Sequence, residues 1–256
     1  MTNKKAKGRA GSIVAIISGT KSKEVIEYLK KIPEVKRRKV EEITLDMAGS
    51  MKLIAKKSFP NATQVIDRFH VQQLATEAVQ QIRIKYRWEA MDKENEAIKT
   101  ARKKGVSHAP DVFSNGDTRK QLLARSRFLL FKSQDKWTVS QKVRAAILFE
   151  KYPEIKQAYD LSNGLRVIYN SQSNKGVAMT KLAQWYNDVE LSGFKSFKTV
   201  MNTISLNYIG ILNYFENRST NASAESFNAK IKGFRAQLRG VKNKEFFIFR
   251  LTKIYA

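Results

Sequence analysis

The sequence has no cysteine, which excludes disulfides and thiolate metal sites and fits a reducing cytoplasm. No apolar run is longer than IVAII at 13–17, far short of the roughly 20 residues that a membrane-spanning helix needs. The basic start, MTNKKAKGRAGS, lacks the apolar stretch of a secretory signal. Histidine occurs only twice, and acids are scarce, with 23 Asp and Glu against 48 Lys and Arg. Before Asp46 there is no aspartate at all.

What is present begins with that charge. A formal net charge of +25 points to a polyanion, because every phosphate neutralised by Lys or Arg releases counterions. Nucleic acid ranks ahead of a basic surface kept for solubility, and ahead of an anionic membrane. No segment reads as a basic amphipathic helix with an aromatic face. Residues 1–40 hold twelve Lys or Arg and three Glu, and residues 218–253 hold nine against two, so the basic footprint is extended. Hydrophobic residues make up 42% of 256, enough for a buried core in one large domain or two small ones.

Strand and helix patterns alternate up to residue 71. SIVAII is a continuous apolar run and predicts a buried strand. KSKEVIEYLKKI has apolar residues at 25, 26, 29 and 32, which is helical spacing stopped by Pro33. VEEITLD predicts a strand ending at Asp46. MKLIAKKSF predicts a short helix stopped by Pro60, and TQVID the next strand. Strand, short helix and strand form a βαβ unit with parallel strands, so Asp46 and Asp67 both fall at strand C-termini. That edge of an open α/β sheet is where ligands bind. It is also where VIDRFH places an acid, a base and an aromatic.

Residues 72–215 read as nearly all helix, with loops around 105–118 and at SNGL and SQSNKG around 162–176. Trp88, Trp137 and Trp185 can stack on bases, but at helical spacing they fit packing roles. Residues 216–256 begin RSTNASAESFNAKIKGFRAQLRG, where Ser219, Thr220 and Asn221 offer N-cap oxygens. An apolar stripe follows at Ala224, Phe227, Ile231, Phe234 and Leu238. A polar stripe runs beside it: Glu225 in the first turn, then Asn228, Lys232, Arg235 and Arg239. A helix N-terminus favours an ionised carboxylate such as Glu225. Carboxylates converging at a sheet edge bind hard divalent cations, and a metal pair there can drive in-line phosphoryl transfer. Taken singly, Asp46 reads equally as a turn former and Glu225 as a cap; the combination with the net charge carries the reading.

The stretch LDMAGSMKLIAKKSFPNATQVIDRFHV resembles the segment of insertion-sequence transposases that carries the second acid of a DDE triad. STNASAESFNAKIKGFRAQLRG resembles the segment that carries the final glutamate. In this order, across a helical stretch, the two resemble the ISL-three group of bacterial transposases. The resemblance implies an α/β, RNase H-like mixed sheet with flanking helices, interrupted by a large all-α insertion. Residues 1–71 would begin the catalytic core, 72–215 form the insertion and 216–256 complete the core.

The resemblance implies that Asp46 and Glu225 are catalytic and bind metal, with Mg²⁺ or Mn²⁺ as the cofactor and two ions in an intact site. Asp67 and His70 would stand close by, with Asp67 an alternative triad member. His70 would position a water or a phosphate, or simply bond a neighbouring carboxylate. Arg68 would pair with an acid or contact phosphate, and Asn228, Lys232, Arg235 and Arg239 would hold the DNA backbone. The implied activity is DNA strand cleavage by water, then attack of the freed 3′-hydroxyl on target DNA. The partners are element ends and target DNA, with no membrane, and a homodimer or larger synaptic assembly to join two ends. One departure stands out. The family takes its first aspartate from an earlier strand, which this chain lacks along with a DNA-reading domain, so the chain resembles an N-terminally truncated transposase. An upstream-encoded fragment would then be a further partner. The expectation is that the chain binds DNA and cuts poorly alone. The competing readings are a non-catalytic basic DNA-binding protein or transposase remnant, and a helical scaffold.

Overall fold

The computed structural model describes residues 1–6, 11–17, 19–171, 174–237 and 243–255. The chain forms two compact units, Met1–Arg68 together with Ile209–Ala256, and Phe69–Tyr208. It is an α/β chain in which helix predominates and two strands pair in parallel.

The first unit opens with α1 (Ser22–Lys30) and a short α2 (Glu34–Arg38), the latter starting directly after Pro33. Then come β1 (Glu42–Leu45), α3 (Gly49–Ser58) and β2 (Thr63–Ile66). The strands run parallel with Glu42 opposite Thr63 and Leu45 opposite Ile66, as the short helical crossover requires. Leu29 of α1, Ile54 of α3 and Phe59 form the buried centre, against which Val25, Ile43 and Met51 also pack. Arg37 is buried beneath them, donating from Nε to the Ile32 carbonyl at 2.9 Å and from Nη1 to the Ser58 carbonyl at 2.7 Å. This member of the basic run KRRK closes the end of α3 and is not available to an outside anion.

The expected strand SIVAII is not one. Ile13 makes only an isolated antiparallel bridge with Thr2, and Val14 donates to the Met1 carbonyl at 3.0 Å. A strand needs a partner along its length, and three residues at the start of the chain supply too little ladder. Side chains alternate along the segment: Ala15 and Ile17 pack on the core while Val14 and Ile16 are exposed. The run is therefore half-buried extended chain, not a central strand.

The second unit is helical: α4 (Arg68–Lys103), α5 (Arg119–Arg125), α6 (Val139–Lys151), α7 (Pro153–Asn170), α8 (Lys175–Ser192) and α9 (Lys195–Leu206). Thr118 and Thr138 start α5 and α6 with reciprocal capping boxes to Gln121 and Gln141. Gly193 ends α8 at φ 69°, a left-handed turn that glycine adopts without strain. The segment SNGL, expected as a loop, lies inside α7. Leu161, Ser162 and Leu165 are buried there, and Trp185 Nε1 donates to the Leu161 carbonyl at 2.8 Å. Tertiary burial overrides the local turn composition. Trp137 packs with Phe149 and Tyr159, with centroids 6.1 and 5.5 Å away, whereas Trp88 is 60% exposed.

The chain then returns to the first unit through α10 (Tyr208–Asn217), α11 (Ala222–Gln237) and α12 (Lys244–Tyr255). α10 packs against β2 at Gly210, where a β-carbon would stand 2.9 Å from Ile66 Cγ1. Asn213 Nδ2 donates to the Gln64 carbonyl at 3.0 Å, so an outward backbone acceptor of the strand is satisfied by a helix side chain. Phe234 of α11 and Phe247 of α12 meet at 5.4 Å, and Leu251 is buried. Among the described residues no helix is long and apolar enough to cross a membrane.

Candidate functional site

Asp46 and Asp67 follow directly on the paired ends of β1 and β2. The Asp67 amide donates to the Leu45 carbonyl at 3.1 Å, so the ladder's last bond is made by Asp67 itself. Asp46 is half-buried, and its Oδ1 accepts the Ala48 amide at 2.9 Å, a turn that leads into α3.

Asp67 is buried, only 1% exposed, and its Oδ2 accepts the Asn221 amide at 2.9 Å. Asn221 stands immediately before α11, and its own carbonyl accepts the Glu225 amide at 2.9 Å. A continuous path of two hydrogen bonds thus runs from the buried aspartate at the sheet edge to the backbone of Glu225. The carboxylate lies at the N-terminal end of a 16-residue helix, where an anion is favoured. Sequence reasoning placed Asp67 near this edge but not in this role. A bond across 154 residues has no local signature.

Glu225 sits in the first turn of α11 and is exposed. Asn228, Lys232 and Arg235 are exposed along the same helix, while Ala224, Phe227, Ile231 and Phe234 are half-buried. Arg239 and Leu238, the expected continuations of the two stripes, lie outside the described residues. Arg68 is the exposed first residue of α4. His70 belongs to the second unit, where it is half-buried and meets Phe69 edge-on at 6.0 Å.

Glu42 is a further acid of the first unit, at the opposite, N-terminal end of β1. It pairs with Lys4 at 3.3 Å and accepts from Asn217 Nδ2 at 3.1 Å. Burial pushes its carboxyl up, but hydrogen bonds from Ser219 and Asn217 and the Lys4 charge together hold it below the usual range. Its partners make it a structural link between β1 and the end of α10.

Among the described residues no three His, Asp or Glu side chains stand close enough together to hold a metal ion. Mg²⁺ demands near-octahedral oxygen geometry even when waters complete the shell. Asp46 and Glu225 alone would leave most of such a shell to water and substrate oxygens.

Comparison with known proteins places these residues in context. A family model described as Transposase, for ISL3-type DDE transposases, matches residues 1–251. A curated relative, the transposase for insertion sequence element IS1001 of Bordetella parapertussis, is 21% identical over 228 residues, covering 89% of this chain and 50% of the relative. The chain thus spans about half the length of that relative. No solved structure matches.

Proposed function

Because the chain belongs to the ISL3-type DDE transposase family, we propose that it carries part of an RNase H-like catalytic core acting in metal-dependent DNA strand cleavage and strand transfer. In this reading Asp46 is the second acid of the triad and Glu225 the third. Asp67 sets the start of α11, and hence Glu225, against the sheet edge. His70 positions a water or a phosphate oxygen, and Arg68 contacts phosphate or pairs with an acid. Asn228, Lys232, Arg235 and Arg239 hold the DNA backbone. Joining two DNA ends calls for at least two copies. The observation that carries the reading is the hydrogen-bonded path from Asp67 through Asn221 to Glu225, which brings a strand end and a helix start together across the sequence.

A second reading, a DNA-binding protein without turnover, is favoured by the lack of a three-acid cluster among the described residues. A Mg²⁺-dependent cleavage assay on the purified chain separates the two. Turnover abolished by Asp46→Ala assigns the chemistry to this chain. Steeply salt-dependent DNA binding with no turnover, and unchanged by Asp46→Ala, supports the second reading.

A further inference from the structure

One face of α4 in the second unit lines a groove of about 940 Å³ that the reading above leaves unused. Its lining runs from Phe69 to Trp88, which at 1.5 Å per residue is about 28 Å of helix. Four aromatic rings border it and all are exposed: Phe69 at 57%, Trp88 at 60%, Phe128 at 66% and Phe131 at 41%. Scattered exposed apolar residues are ordinary, but four rings around one groove form a patch.

The same groove holds four arginines, Arg83, Arg87, Arg127 and Arg166, against one acid, Glu77. None of the four is in an ion pair among the described residues. Arg83 is buried and fixed, donating to Gln80 Oε1 at 2.7 Å and to the Leu123 carbonyl at 2.8 Å. Burial, then the charges of Arg87 and Arg127, lower its guanidinium to about 10, so it remains charged at neutral pH. Arg166 is held by Asn163 Oδ1 and the Phe131 carbonyl, both at 3.1 Å. Arg83, Arg87 and Arg127 repel one another and form no ion pair among the described residues, so an anion in the groove relieves them.

Aromatic faces and arginines together recognise a polymer that alternates flat rings with phosphates. A duplex hides its base faces in its own stack, so exposed protein rings can stack only on unpaired bases. A second copy of the chain fits less well, because a two-fold interface would set the arginine cluster against itself. We propose that this groove binds a single nucleic-acid strand, the exposed Arg87 and Arg127 holding phosphates and Trp88 and Phe128 stacking on bases. The inference deepens the transposase reading and rests on it for the kind of polymer.

The test is binding of the full chain to a labelled oligothymidylate strand and to a duplex, followed by anisotropy. Stacking contributes about 1–3 kcal/mol per base, so Trp88→Ala and Phe128→Ala each weaken single-strand binding about 5- to 150-fold. Duplex binding through other surfaces stays within twofold of wild type. Trp88→Phe keeps most of the affinity but loses the tryptophan quenching that the strand produces. Both positions are exposed, and an unchanged thermal melt verifies that the variants fold. Equal losses for strand and duplex, or no loss, overturn the proposal. So does a wild-type dimer that Trp88→Ala converts to monomer, which assigns the groove to a second copy. Duplex binding that persists while Trp88→Ala leaves strand binding untouched rejects the groove and leaves the transposase reading standing. A chain that binds neither polymer rejects both.

Discussion

Replacing Asp67 tests the link between the sheet edge and the helix that carries Glu225. Asp67 is buried, and its carboxylate accepts the Asn221 amide at 2.9 Å, just before α11. A hydrogen bond to a charged group contributes about 1.5–3 kcal/mol. An anion at a helix N-terminus adds about 0.3–1 kcal/mol. Asp67→Ala removes both and should cost about 2–4 kcal/mol, a large share of the roughly 5–15 kcal/mol that holds a domain together. Asp67→Asn keeps the shape and one acceptor oxygen but makes the bond neutral, and it should cost about 1–2 kcal/mol. Urea unfolding followed by circular dichroism measures both, and hydrogen exchange at the Asn221 amide reports the link itself. Exchange there should accelerate more in Asp67→Ala than in Asp67→Asn. If Asp67→Ala is as stable as wild type, or the two variants are equally damaged, the bond does not position α11. In a strand-transfer assay a positioning aspartate leaves Asp67→Asn measurably active, whereas a metal-binding aspartate leaves neither variant active.

Other perturbations test the packing, the buried ion pair and the basic face of α11. Gly210→Ala brings a β-carbon to 2.9 Å from Ile66 Cγ1, in a buried and stiff side chain; overpacking of about 1–3 kcal/mol outweighs the gain of about 1 kcal/mol from helix propensity, so the melting temperature falls. Asp117 is fully buried between Arg144, at 2.7 Å, and Arg125, and Arg144→Ala should cost about 3 kcal/mol against about 1 kcal/mol or less for the more exposed Arg125→Ala, read by chemical unfolding. Burial pushes the Asp117 carboxyl up, but hydrogen bonds from Arg144 and Arg125 outweigh it and hold it below the usual range. Its contribution is therefore complete above the ordinary unfolded value, about 3.9, and is lost as pH falls below that through the lower folded value; Asp117→Asn should flatten the acid limb of the stability profile. Lys232→Ala combined with Arg235→Ala should flatten the slope of log affinity against log salt for duplex DNA by about 1.8, since each phosphate contact contributes about 0.9.

The parts of the fold that sequence reasoning reached are those governed by near neighbours. Pro60 after an apolar helix, and two short apolar runs ending in aspartate, specify β1, α3 and β2 because each signal acts within a few residues. The α11 stripes are legible for the same reason. Strand formation at 12–17 is not, because it depends on a neighbouring ladder that composition cannot supply. SNGL has the composition of a turn, yet Leu161, Ser162 and Leu165 are worth more buried in α7 than exposed in a loop. Net charge has the same limit: it counts cations without saying where they act. Arg37 is consumed by the Ile32 and Ser58 carbonyls and Arg144 by Asp117, while Lys232 and Arg235 remain exposed on α11. Only the exposed class can neutralise phosphate, so the salt slope should fall well below what all 48 Lys and Arg would give if every one made a contact. A slope that counted all 48 would require the buried Arg37 to reach the nucleic acid, and thus a different packing of the first unit.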